Sequence, residues 1–182
     1  MGLQPEKAHI HQEIIERCRQ GDREAHYQLY KLYSKSMYNV GYRIVKNEAE
    51  AEDVLQEAFI SAFRNLSNYR RDASFGSWLK RIVVNKAINV LKSRKTERLP
   101  EDENFDLQEE VAAPYEFRYS IEEVKNAMDV LPDGYRSVLS LYLLEGYDHA
   151  EIAEILGISE STSKSQFNRS KKKLREILEV KP

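Results

Sequence analysis

Between Pro5 and Pro100 the chain carries no proline. A proline in a helix interior costs about 3 kcal/mol, so this tract is open to long, unbroken helices. The apolar spacing agrees. Ala51, Val54, Leu55, Ala58, Phe59, Ala62, Phe63 and Leu66 advance by steps of three and one, which puts them on one helical face and leaves no strand-like alternation. Phe75, Trp78, Leu79, Ile82, Val83, Ala87, Val90 and Leu91 repeat the pattern to about Arg94. Upstream, Ile10, Ile14, Ile15 and Cys18 fit a short helix that Gly21 can end. Asp22 is suited to cap a second helix, with the stripe Ala25, Leu29, Leu32, Tyr33, Val40, Ile44 and Val45. Four helices joined by short connections are expected over residues 9–95.

The character changes at Thr96. Residues 96–123 hold ten Asp and Glu against two Arg, with Pro100 and Pro114 and no sustained apolar period. This composition reads as an extended linker, placed at 96–120. Helical signals resume with Ile121, Val124, Ala127, Met128 and Leu131. Pro132 suits the first turn of another helix, whose apolar face would be Val138, Leu139, Tyr142 and Leu143 up to Gly146. Asp148 to Leu156, the turn Gly157-Ile158-Ser159 and a last helix from Glu160 to Glu179 complete a second module at 121–180. The expected fold class is all-α, two small helical domains joined by an acidic linker.

A single cysteine, Cys18, cannot close an internal disulfide. No apolar run approaches the roughly 18 residues of a membrane span, and the start lacks the long apolar stretch of a secretion signal. The cytoplasm is the expected compartment.

The formal net charge of −2 conceals strong segregation. Residues 1–95 carry +6, residues 96–123 carry −8 and residues 124–182 are balanced. Within the first module, Glu48, Glu50, Glu52, Asp53 and Glu57 crowd the start of the third helix. The fourth, from Ala73 to Thr96, carries Lys80, Arg81, Lys86, Lys92, Arg94 and Lys95 and no acid. One surface suits a basic protein partner and the other suits phosphate.

The most specific local pattern is DHAEIAEILGISESTSKSQFNRSKKK at 148–173. Ile152, Ala153 and Leu156 make a short apolar face, Ala153 is small where two helices must approach, and Gly157 sits where a tight turn favours positive φ. The following helix would turn Thr162, Phe167, Leu174 and Ile177 inward. That leaves Glu160, Ser161, Lys164, Ser165 and Asn168 outward, beside Arg169, Lys171, Lys172 and Lys173. Short polar groups near the start of such a helix can reach base edges, while the basic residues hold phosphates. Charge runs ordinarily face water; here the turn, the packing residues and the polar stripe occur together and point to DNA.

The outward face of the fourth helix, Lys80, Arg81, Asn85, Asn89 and Lys92, combines phosphate-binding cations with amides that can pair with bases. Before it lies Asn68-Tyr69-Arg70-Arg71-Asp72-Ala73-Ser74. Its amide, aromatic, guanidinium and hydroxyl groups could receive an unstacked base. Phe75 and Trp78 share the phase of Leu79 and Ile82, which argues for core positions. His9, His11 and Cys18 have poor metal-ligand spacing, and His26 and His149 lack a nucleophile-base pattern. No metal, cofactor or catalytic set is implied.

These stretches carry a resemblance across nearly the whole chain to the extracytoplasmic-function sigma factors, the compact two-domain branch of the sigma-70 family. EDVLQEAFISAFRNL resembles the core-polymerase-binding helix and SFGSWLKRIVVNKAINVLKSRK the minus-ten promoter helix. LPDGYRSVLSLYLLEGYDHAEIAEILGISESTSKSQFNRSKKKLRE resembles the minus-thirty-five domain. The resemblance implies a region-two-like four-helix bundle and a region-four-like helix-turn-helix domain. It implies RNA polymerase core enzyme and promoter DNA as partners, with an anti-sigma factor expected. Asp53, Gln56 and Glu57 would face the polymerase clamp. Asn85 with Lys80, Arg81, Asn89 and Lys92 would meet the minus-ten duplex, and Asn68, Tyr69, Arg70, Arg71 and Ser74 would surround a flipped base. Glu160, Ser161, Lys164, Ser165, Asn168, Arg169 and Lys172 would meet the minus-thirty-five element.

Two departures stand out. Ser163 occupies a usually branched apolar position, and Gln166 and Phe167 replace the usual arginine and leucine; Phe167 is expected to fill volume. The acidic linker admits three readings: a soluble spacer, a screen over the DNA-binding faces of the free protein and, as the resemblance implies, a nucleic-acid mimic entering the polymerase's RNA channel. A stand-alone helix-turn-helix regulator is the rival from another class. A nucleic-acid-processing enzyme would need a metal or acid-base set that the sequence lacks.

Overall fold

A computed structural model of the chain describes residues 5–94 and 119–179, with side chains from His11 onward. The linker at 96–120 therefore lies almost wholly outside the described residues, as does the side chain of His9. Among the described residues there are eight α-helices and no strand. They fall into two compact units that divide after Val90.

The first unit contains α1 (Pro5–Arg19), α2 (Arg23–Val45), α3 (Glu48–Arg64) and most of α4 (Phe75–Ser93), with a short 3₁₀ turn at Leu66–Asn68. Asp22 caps α2 as its sequence position suggests, accepting from the backbone N–H groups of Glu24 and Ala25; caps of this kind contribute about 1 kcal/mol. Arg17 holds that carboxylate at 2.7 Å and, with the backbone donors, keeps Asp22 below the usual carboxylate range. The core is Ala25, Leu29, Val40 and Ile44 from α2 against Val54, Ala58, Phe59 and Ala62 from α3, and Leu79, Val83, Val84 and Ala87 from α4. Gly41 marks the close approach: a Cβ there would lie 3.4 Å from Val54 and 3.7 Å from Val83.

Leu32 departs from the expected stripe and is 51% exposed, while Met37 is buried. At 3.6 residues per turn Leu32 falls roughly 100° from the centre of the buried face. Cys18 is buried, and burial pushes its thiol up to about 11, which keeps it inert. Among the described residues no group of three His, Cys, Asp or Glu is placed to hold a metal ion.

The second unit contains α5 (Ile121–Asp129), α6 (Asp133–Leu143), α7 (His149–Leu156) and α8 (Glu160–Glu179). Capping boxes start α5 (Ser120 with Glu123) and α7 (Asp148 with Glu151), each satisfying two otherwise orphaned donors. Met128, Leu131 and Leu139 form a core cluster joined by Val124, Phe167, Leu174 and Ile177. Buried Arg136 ties α6 to the connection that precedes it, donating to the Leu131 carbonyl at 2.8 Å and pairing with Asp133. The expected inner face of α6 shifts: Leu141 is buried, whereas Tyr142 and Leu143 are exposed. The buried residues run from Arg136 to Leu141 without a break, so the middle of α6 is enclosed all round and only its last turn emerges.

Candidate nucleic-acid interface

Residues 65–74 link α3 to α4 and are fixed from beneath. Tyr69 is 7% exposed, its ring 5.7 Å from Phe75 and 5.4 Å from Trp78. Its hydroxyl donates to the Ala73 carbonyl at 2.8 Å, and burial pushes the phenol's pKa up, so it stays a donor. The Tyr69 ring is thus packed beneath the loop rather than displayed on its surface. Trp78 joins the same cluster, as its phase suggests. Asn68, Arg70, Arg71 and Ser74 are exposed around it. Ser74 also starts α4, its hydroxyl accepting from the Ser77 N–H at 3.2 Å.

Along α4, Arg81, Asn85, Asn89 and Lys92 are all exposed, with Lys80 half-buried beside them. Successive members lie three or four positions apart and so form one ladder up the helix. Lys86 leaves this face to pair with Glu57 of α3 at 3.1 Å. On α3, Asp53, Gln56 and Glu57 are exposed as a row, which borders an open groove of about 310 Å³ between α2 and α3. Tyr30, Lys35, Tyr38, Glu52, Leu55 and Gln56 line that groove. Within this row, Glu57 thus shares its charge with a lysine.

In the second unit Gly157 ends α7 at φ 72°, and the N–H groups of Gly157 and Ile158 both donate to the Ala153 carbonyl, at 2.9 and 3.0 Å. Ser159 then opens α8, its hydroxyl accepting from the Thr162 N–H at 3.0 Å. Glu160, Ser161, Lys164, Asn168 and Lys172 face solvent, with Ser165 and Arg169 half-buried beside them. Glu160 and Lys164 pair at 2.7 Å.

Ser163 is completely buried and bonds the imidazole Nδ1 of His149 at 2.9 Å. Phe167 packs against Tyr142 and His149, at ring distances of 4.5 and 5.5 Å, and so fills the volume expected of it. Burial, then Lys164, pushes the His149 pKa below its ordinary value.

The fold and the sequence match known families. The model for sigma-70 region 2 matches residues 29–97, and that for sigma-70 region 4 matches residues 121–174. The chain is 32% identical to the ECF RNA polymerase sigma-E factor of Haemophilus influenzae, over 93% of this chain and 94% of that one. The chain belongs to the sigma-70 family. It is an extracytoplasmic-function RNA polymerase sigma factor, a promoter-directing subunit of transcription initiation, and sigma factors are initiation factors rather than catalysts. The ECF sigma factor SigW of Bacillus subtilis is 30% identical over 90% of this sigma factor and 94% of its own length.

Among solved structures, sigma factor RpoE from Bartonella quintana, crystallised with the anti-sigma factor NepR, has the same fold. It matches with a TM-score of 0.56 at 22% identity, over 86% of this chain and 98% of that one. CnrH, solved with the cytosolic domain of CnrY, matches with a TM-score of 0.54 at 20% identity, over 93% and 97%. The whole-length relationship to the ECF sigma factors of Haemophilus influenzae and Bacillus subtilis displaces the reading as a stand-alone regulator.

Glu16 and Arg19 of α1, which reach the 65–74 loop, and Arg136 carry no sequence signal of their roles. Nothing in local spacing reveals a contact across fifty positions. The His149–Ser163 bond did leave a trace, a hydroxyl at a position where the family usually has an apolar side chain.

Proposed function

We propose that the sigma factor meets its partners through three surfaces. Asp53, Gln56 and Glu57 on α3 dock on the polymerase clamp beside the groove lined by Tyr30 and Tyr38. Arg81, Asn85, Asn89 and Lys92, with Lys80, lie along the minus-ten duplex, and Asn68, Arg70, Arg71 and Ser74 surround a base extruded from the opened strand, with Tyr69 supporting them from below. Glu160, Ser161, Lys164, Ser165 and Asn168 read the minus-thirty-five element, while Arg169 and Lys172 fix α8 on the backbone. The observation that carries this reading is the ladder on α4, an exposed file of cations and amides on a helix that contains no acid.

The working domains are residues 9–95 and 121–180, with 96–120 as a tether, and the compartment is the cytoplasm. The protein performs no covalent step; contacts made only with opened DNA favour opening. Solved structures of the same fold hold anti-sigma factors, which supports such a partner here. The test is run-off transcription by purified core enzyme on a promoter library, with and without the chain. Initiation at a defined promoter class only in its presence supports the reading. Loss of that selectivity in Asn85→Ala and Lys164→Ala supports the two DNA surfaces, and an unchanged promoter profile in both variants would remove them.

A further inference from the structure

The loop at 65–74 is braced from outside the matched region 2 segment, which begins at residue 29. Arg19, at the end of α1, donates through Nη2 to the carbonyls of Tyr69 at 2.7 Å and Leu66 at 3.4 Å. The Tyr69 hydroxyl bonds the Ala73 carbonyl and secures the loop's second half. The fixed points are therefore backbone carbonyls and one buried ring, while Asn68, Arg70 and Arg71 project outward.

Arg71 has a left-handed backbone, φ 67°, a conformation that non-glycine residues seldom adopt and that gathers at functional sites. Its guanidinium lies 3.2 Å from Glu16, and the same carboxylate oxygen lies 3.4 Å from Arg19. Glu16 thus stands between two arginines of unlike situation. Arg19 is 25% exposed and has backbone acceptors; Arg71 is 45% exposed and its ion pair is half in water. Such a pair is weak, and a backbone phosphate can take a guanidinium in the same bidentate, charge-assisted way as a carboxylate.

We infer that α1 supplies a brace and a placeholder for this loop. Arg19 is a positioning residue that holds the backbone in the base-receiving shape, and Glu16 keeps Arg71 aligned until a phosphate of the opened strand takes its place. The inference rests on the proposed role of the loop in receiving a base.

The test uses holoenzyme made with the full chain. Its probe is a single-stranded minus-ten oligonucleotide from a promoter selected in the run-off library, carrying 2-aminopurine at each position in turn. Arg19→Gln is expected to reduce both the unstacking signal and open-complex formation about tenfold while leaving core assembly and minus-thirty-five duplex binding unchanged, and Arg19→Lys to restore part of the loss. Glu16→Gln is expected to tighten single-strand binding about two- to fivefold, the range of an exposed ion pair, and the gain should vanish in Glu16→Gln/Arg71→Gln. If the wild type gives no unstacking signal at any position, the role of the loop itself fails. If the wild type gives the signal and Arg19→Gln matches it, or loses core assembly in parallel, the brace is overturned. A gain in Glu16→Gln that survives removal of Arg71 overturns the placeholder.

Discussion

The loop at 65–74 and the turn at 157–159 both deliver polar side chains to a surface, yet they are held in opposite ways. The loop depends on Arg19, which comes from a position 50 residues earlier, and on an aromatic ring buried below it. The turn is made by its own backbone: a left-handed glycine, two N–H groups on one carbonyl and a serine cap. A short turn can be encoded where it occurs. A longer loop has more conformations to lose, so it needs fastening from elsewhere in the fold, and that fastening can be changed without altering the loop's own residues.

The largest test of this contrast uses two arginines. Arg136 is buried in the second unit, 4% exposed, and pairs with Asp133 while donating to the Leu131 carbonyl. Arg136→Met should lower stability by about 3 to 5 kcal/mol, because it strands a buried acceptor and a partly buried carboxylate. Arg19→Met removes hydrogen bonds that water can partly replace, and should cost about 1 kcal/mol while impairing promoter opening. Denaturant melts of the full chain, with tryptophan fluorescence for the first unit and circular dichroism for the whole, separate the two. Similar losses would mean that Arg19 holds the fold rather than the loop.

Next in size are the two left-handed residues. Gly157→Ala should destabilise the second unit by about 1 to 2 kcal/mol, the steric cost of a Cβ in that region. Arg71→Gly relieves the same kind of cost and should raise stability by up to about 1 kcal/mol, yet weaken binding to opened DNA. Thermal melting of both variants beside single-strand affinity would show the turn optimised for folding and the loop strained for use. A destabilised Arg71→Gly would contradict that assignment.

Much of the local architecture could be read directly. The Asp22 cap, the left-handed Gly157, the inward phase of Trp78 and the outward file of Asn85 and Asn89 all follow from rules acting within a few positions. Sequence pattern and structure part where three dimensions decide. Leu32 looked like part of a stripe, but the long α2 turns it away from the partners that bury Leu29. Tyr142 and Leu143 looked inward until the enclosure of α6 from Arg136 to Leu141 left them at its emerging end. Tyr69, in a polar heptad, gave no sign that Phe75 and Trp78 would claim its ring. The candidate surfaces were legible as faces; their supports from Arg19 and Glu16 were not, because each acts through a partner distant in the sequence, and His149 left only the trace of a hydroxyl at Ser163.

The smallest effect expected lies at a side-chain bond that joins α7 to α8. Ser163→Ala removes the partner of His149 Nδ1 in a fully enclosed position and should cost about 1 kcal/mol, with reduced selectivity at the minus-thirty-five element. Acid should act on the same pair. His149 faces the rings of Tyr142 and Phe167, and Lys164 and Lys171 of α8 oppose its protonation while Asp148 and Glu160 favour it. Burial is the largest influence, and the folded chain holds the imidazole below its ordinary value, so the unfolded chain binds more protons between the folded and unfolded values. The contribution is whole above about pH 6.5 and is lost as the pH falls through the folded value. Melts of the full chain from pH 7.5 to 5 should therefore show a decline that His149→Phe reduces, while Gly157→Ala shifts the curve without changing its slope. If His149→Phe leaves the slope unchanged, the titrating group lies elsewhere, and the packing around Ser163 alone must orient α8.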